Sequence, residues 1–180
     1  MTCLKKLLPA LFLCSLVAVS CGTVKKQPAK TAPTTQERVQ KKANDLADLK
    51  GASVESVSLE GGTVALKVTF DSGILFGFNK TDLGEEAKSS LEALLAEIKD
   101  MPDAHIRVYG HTDIVGSAEV NQKVSEERAR KVAAFLMENG ISASRIEAEG
   151  KSFNNPVADN STEEGRAKNR RVEIFVSPAQ

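Results

Sequence analysis

Apolar residues recur along this chain with two different periods, and the switches between them lay out its elements. Val39, Ala43, Leu46 and Leu49 follow a helical spacing behind Thr34 and Glu37, which stand at capping-box distance, and Gly51 stops that helix. Two alternating runs come next, residues 54–59 and then Val64, Leu66, Val68 and Phe70, joined by Glu60-Gly61-Gly62 as in a hairpin. Residues 70–80 are rich in Gly and Phe without a clean period and read as a loop packed on the core. A second helix carries Ala87, Leu91, Leu94, Leu95 and Ile98 on one stripe, with Asp82 and Glu85 as its expected capping box and Pro102 as its stop. Ile106 and Val108 mark a strand at 105–109. A long helix is expected over 117–139, ended by Gly140, and a short strand over 145–149. Residues 154–169 are polar and turn-rich, with room for a short helix at 162–168. Val172, Ile174 and Val176 close the pattern as a last strand.

These elements predict a two-layer α/β (α+β) sandwich. Its centre is a βαβαββ mixed four-stranded sheet with helices packed on one face, preceded by a helix and strand read as an appendage at 35–61. Lys67 and Thr69 alternate with Leu66 and Val68, so the other face of the sheet should be wet. No internal repeat is visible.

The first residues belong to targeting. Lys5-Lys6 precede an apolar run over 7–19, too short to span a bilayer, which needs roughly 20 apolar residues. The run ends at Val19-Ser20-Cys21 and resembles a bacterial lipoprotein signal, though Ala18 stands where Leu is commonest. That resemblance implies cleavage after residue 20 and a diacylglycerol on the Cys21 thiol. A secretory signal with an incidental cysteine is the plainer alternative. Cys3 and Cys14 would leave with the peptide, so the exported chain would be held by its core and not by disulfides. Gly22, where Asp would mark retention in the inner membrane, implies the outer membrane, with the protein facing the periplasm. Residues 21–34 then form a solvated linker with a reach of roughly 45 Å.

The chain balances 24 basic against 24 acidic residues and has 4% aromatic content. Neither a nucleic-acid field nor a base-stacking platform is expected. His105, His111 and Asp113 raise the thought of a metal, but the two histidines stand at opposite ends of one short strand, so no metal or other cofactor is expected. No nucleophile constellation is recognisable, which argues against an enzyme.

The useful chemistry lies on the long helix. Val120, Val124, Val132 and Leu136 form an i, i+4 row in which Arg128 takes the missing step, so a guanidinium sits at the core-facing stripe and needs a partner. Asn121 lies two turns earlier on nearly the same face, and Asp113 just beyond the preceding strand. Two readings stay open from spacing alone: Asp113 and Arg128 pair with each other, or together they receive a ligand bearing both charges.

Residues 70–79, Gly110-His111-Thr112-Asp113, Asn121, residues 125–129 and residues 165–174 resemble, in order, the OmpA-like C-terminal domain, the family that includes the peptidoglycan-associated lipoprotein. The likeness covers about residues 62–178. It implies non-covalent binding of peptidoglycan through the diaminopimelate of the stem peptide, with Asp113 and Arg128 as ligand residues. Asn79, Thr112, Asn121 and Arg170 would support them. Ile114 departs from the family, which often carries a polar residue there. The implied protein tethers the outer membrane to the wall, with peptidoglycan and the membrane as partners and no nucleic acid. A wall-peptide hydrolase and a Tol-type envelope assembly partner are the other classes to weigh.

Overall fold

The computed structural model describes residues 34–77 and 82–178. The expected signal peptide, Cys21 with its expected linker, and Asn79 lie outside the described residues. Helix α1 (Thr35–Asp45) begins at Thr34, whose hydroxyl accepts from the Glu37 amide while Glu37 accepts from the Thr34 amide, the reciprocal cap expected from the sequence. Strands β1 (Ala52–Ser58) and β2 (Val64–Asp71) pair antiparallel across the predicted hairpin, where Gly61 and Gly62 both take positive φ.

Helix α2 (Ser72–Phe76) occupies part of the segment expected to be a loop. Asp71 caps it by accepting from the Gly73 amide at 2.6 Å. Too short to show a period, this helix carries Leu75 and Phe76 into the core. Helix α3 (Glu85–Lys99) starts behind Gly84 with no side-chain cap, and Asp82 instead pairs with Lys131 at 2.8 Å. The expected Asp82–Glu85 capping box is therefore not formed: the helix begins at Glu85 with Gly84 as its N-cap, so Asp82 and Glu85 do not hold the two capping positions.

Strand β3 (His105–Gly110), helix α4 (Ala118–Glu138), strand β4 (Ile146–Gly150), helix α5 (Glu163–Asn169) and strand β5 (Arg171–Ser177) complete the chain. The sheet runs β1-β2-β5-β3-β4, with β3 and β4 parallel and the other neighbours antiparallel. It thus has five strands where four were expected. The strand read as an appendage hydrogen-bonds along the whole of β2, and Val39, Ala43 and Leu46 of α1 join the same core.

Register builds that core. Val68, Ile174 and Val108 stand side by side across β2, β5 and β3, as do Leu66, Val176 and Ile106, so one face of the sheet is a continuous apolar layer. The stripes of α3 and α4 complete it. Lys67, Glu173, Phe175, Arg107 and Tyr109 project from the opposite face. There Lys67 bridges Glu55 at 3.2 Å and Glu173 at 3.3 Å, and the Tyr109 and Phe175 rings lie 5.6 Å apart.

Glu173 is the buried node of this second face. Burial alone would push its carboxyl up, but His111, the hydrogen bond from Arg171 at 2.9 Å and the charges of Arg171 and Lys67 hold it down at about 2. The His111 contact, at 3.5 Å, is long for a hydrogen bond, so Arg171 and Lys67 carry more of the effect. A depressed carboxylate stabilises the fold fully above its ordinary value of 4.5, and that stability is lost as pH falls toward 2. We expect Glu173→Gln to cost up to about 3 kcal/mol at pH 6. The gap from the parent should shrink to about 1 kcal/mol by pH 2.5 in denaturant unfolding, and a gap independent of pH would refute this account.

Candidate functional site

The site lies where β3 ends. Gly110 pairs with Gly150 at the carboxyl ends of β3 and β4, and α4 crosses directly over both. A Cβ on Gly110 would land on the Ser125 backbone carbonyl, and one on Gly150 on the Glu126 amide and the Ser125 hydroxyl. Only glycine permits this approach. Ser125 is fully buried. Its hydroxyl donates to the Gln122 carbonyl at 2.8 Å and accepts from the Ser152 amide at 3.1 Å. Ser152 holds a positive φ of 53°, and its carbonyl accepts from the Thr112 amide at 3.0 Å. Through these bonds the helix, the end of β4 and the Thr112-Asp113 segment share one height.

A cleft of about 650 Å³ opens beside this junction. Thr112, Asp113, Asn121, Arg128 and Arg170 all line it, so the structure brings together every predicted pocket residue that it describes. It also adds Asp71, Ser72, Gly73, Glu163 and Arg166 to the lining. Arg166 falls within residues 165–174, part of the family-like pattern, whereas Glu163 was not singled out. The α2 residues were legible only as part of the family-like run 70–79, because no period marks so short a helix.

The pairing inside the cleft differs from the simpler of the two expectations. Asp113 accepts from Arg170 Nη1 at 2.8 Å through Oδ2 and from the Val115 amide at 2.9 Å through Oδ1. Arg170 Nη2 reaches Glu163 at 2.9 Å, and Glu163 also accepts from Arg166 at 3.0 Å. These bonds hold the Glu163 carboxyl below its ordinary range, Arg170 first and Arg166 second. The Asp113 hydrogen bond raises Arg170. Asp113 is therefore spoken for by Arg170, and Arg128 is not its partner.

Arg128 is 9% exposed, and its Nε has no hydrogen-bond partner among the described residues. Its guanidinium lies 5.7 Å from the Phe76 ring centroid, so α2 supplies an aromatic face beneath it. Burial pushes the Arg128 pKa down and the neighbouring Arg170 charge adds to this, with Asp113 and Asp71 opposing. A guanidinium nevertheless stays charged at any ordinary pH. Ser72 Oγ and Thr112 Oγ1 are likewise buried without a protein partner. Three buried polar groups on residues lining one cleft are thus without a hydrogen-bond partner among the described residues.

Two supports complete the geometry. Asn121 donates to the Val115 carbonyl at 3.1 Å, so it shapes the turn after Asp113. Asn169, fully buried, accepts from the Val157 and Ala158 amides and donates to the Ala158 carbonyl and to Asn160, which ties down the long polar stretch before α5. The expected i, i+4 row on α4 holds only in its second half. Val132 and Leu136 are in the core, whereas Val120 is exposed and Val124 lines the cleft. The first half of α4 turns Asn121, Ser125 and Arg128 inward instead.

A sheet with one helical layer and a charged cleft at the carboxyl end of a parallel strand pair defines a binding domain of the α/β sandwich class. The OmpA family matches residues 75–170, more than half of the chain, and this protein belongs to that family. It is 37% identical over 134 residues to the probable lipoprotein YiaD of Escherichia coli (strain K12), covering 72% of this chain and 58% of that protein. The outer-membrane lipoprotein YfiB of Pseudomonas aeruginosa is 41% identical over 109 residues, covering 61% of this chain and 64% of that one. This chain thus aligns with less than two thirds of the length of either relative. Among solved structures, the cell wall anchor of the T6SS from Pseudomonas aeruginosa superposes with a TM-score of 0.67 at 30% identity, over 79% of this chain and 99% of that one.

Proposed function

We propose that this protein is an outer-membrane lipoprotein that binds peptidoglycan without covalent attachment, gripping the diaminopimelate of the stem peptide. The observation that carries the reading is Arg128: a buried guanidinium with no carboxylate bonded to it among the described residues, lining the same cleft as the Asp113 carboxylate, which Arg170 and the Val115 amide hold in place. An amino-acid headgroup carries the complementary pair of charges. Its carboxylate would take the Arg128 donors, and its ammonium would share the Asp113 carboxylate with Arg170. Thr112 and Ser72 line the same cleft, and Asn121 and Arg170 hold the Asp113 turn in place. Asn79 is proposed as a further polar contact and Cys21 as the lipid anchor. The lipoprotein relatives and the cell-wall anchor among the solved neighbours support the same placement.

No covalent step is required of such a site. A wall held near a tethered protein presents effective concentrations of order mM, so modest affinity per site suffices. The test is retention on purified sacculi. Asp113→Ala removes the ammonium partner while Arg170 keeps Glu163, so the fold should persist and retention should fall at least tenfold. Unchanged retention of a folded Asp113→Ala protein would overturn the assignment.

A further inference from the structure

Glu163, the first residue of α5, lines the cleft without belonging to the pair that takes the headgroup in the two-charge reading. Its Oε1 accepts from Arg170 Nη2 at 2.9 Å, and its Oε2 accepts from Arg166 Nε at 3.0 Å. Arg170 Nη1 in turn donates to Asp113 Oδ2 at 2.8 Å. A single guanidinium therefore stands between two carboxylates, with one terminal nitrogen on each. The start of α5 is anchored: the Thr162 hydroxyl accepts from the Gly165 amide at 3.0 Å, and Arg166 Nη1 donates to the Asn160 carbonyl at 2.9 Å. The next residue, Glu164, is exposed and does not line the cleft.

Charge in the cleft is balanced. Arg128, Arg166 and Arg170 line it together with Asp71, Asp113 and Glu163. An ammonium brought to Asp113 meets the Arg170 guanidinium already bonded there, and the charges of Arg170 and Arg128 are close enough to act on one another. Two cations beside one carboxylate favour an anion over a group that carries both signs. Glu163 supplies the opposing negative charge on the far side of Arg170. Its side chain is 63% exposed, so the ion pair adds little to folding. What it changes is the field one guanidinium away, at the carboxylate that a guest ammonium would share.

We infer that Glu163 is a specificity-determining residue: by offsetting the Arg170 charge it makes the cleft select a headgroup bearing both an ammonium and a carboxylate over one bearing a carboxylate alone. The inference rests on the proposed diaminopimelate site and adds to it a residue that acts through Arg170 without touching the guest. Discrimination of this kind comes from the like-charge repulsion that an unbalanced cleft would impose on the ammonium. Arg166, bonded to the other Glu163 oxygen and to the Asn160 carbonyl, holds the carboxylate in position.

The test is titration calorimetry on the full chain with two probes: a peptide ending in diaminopimelate, and the same peptide with its free side-chain ammonium acetylated. The parent should prefer the free ammonium by about tenfold or more. Glu163→Gln leaves an oxygen for Arg166 and Arg170 and removes only the charge. At about 20 mM salt the preference should then shrink by about three- to tenfold with the thermal midpoint kept, and the shrinkage should fade at about 0.5 M salt. Glu164→Gln removes the same charge from the next residue, outside the cleft, and should leave the preference within about twofold. An unchanged preference in Glu163→Gln, equal loss of both probes included, or an equal shift in Glu164→Gln, would overturn the assignment of Glu163. A parent that binds neither probe, or binds both alike, removes the headgroup site itself and this inference with it.

Discussion

Arg128→Met should abolish retention on sacculi and at the same time leave the protein as stable as its parent, or more so. Among the described residues the buried guanidinium has no carboxylate bonded to it and an unpaired Nε, so its desolvation is not offset by a direct ion pair there. Methionine restores most of the volume over Phe76 and leaves no cavity. Binding tells the opposite story. A ligand carboxylate left without its guanidinium in a desolvated cleft costs about 2–5 kcal/mol, which is roughly thirty- to several-thousandfold in affinity. Unfolding in denaturant and sacculus pull-down on the same preparation separate the two effects. A large loss of stability would mean that Arg128 is structural, and retained binding would mean that the ligand carboxylate goes elsewhere.

Gly110→Ala is expected to be among the most damaging single methyls at the described positions. The added Cβ would collide with the Ser125 backbone, not with a side chain that could swing away. Helix α4 would have to lift from the ends of β3 and β4, dragging Ser125 from the Ser152 amide and loosening the Thr112 segment that Ser152 holds. Overpacking of this kind costs about 3 kcal/mol or more, at the upper end for a small-to-large change because backbone must move. The denaturation midpoint should drop sharply and sacculus retention should fall with it, since Asp113 and Arg128 sit on the two elements forced apart. A midpoint close to the parent's would show that α4 is free to shift and that its height over Gly110 matters little.

Both predictions turn on features that differ in how visible they were beforehand. Arg128 was conspicuous as a charge on an otherwise apolar helical row, and Asp113 as an acid closing the Gly110-His111-Thr112-Asp113 run. The contact of Gly110 with Ser125 could not be read, because it joins two elements through the register of β3 against β4 and the placement of a helix above them. Ser72 and Glu163 were missed as cleft residues for the same reason. They reach the site from α2 and α5, which become neighbours only once β2 and β5 pair and the Ser72 amide donates to the Arg170 carbonyl.

By itself the sequence determined the helices and strands other than α2, the Thr34 cap, the turn at Gly61-Gly62, the apolar face of the sheet and part of the polar set around the site. Those properties follow from side-chain period and local turn chemistry, which act within a few residues. Tertiary structure alone decided that β1 is the fifth strand, that Asp82 serves Lys131 and not its own helix, and that Val120 faces water. It also decided that Asp113 belongs to Arg170, leaving Arg128 without a carboxylate. A carboxylate has several cations within reach in any sequence. Which one it meets depends on long-range strand pairing and on where burial makes an unmet charge most expensive, and no local pattern encodes either.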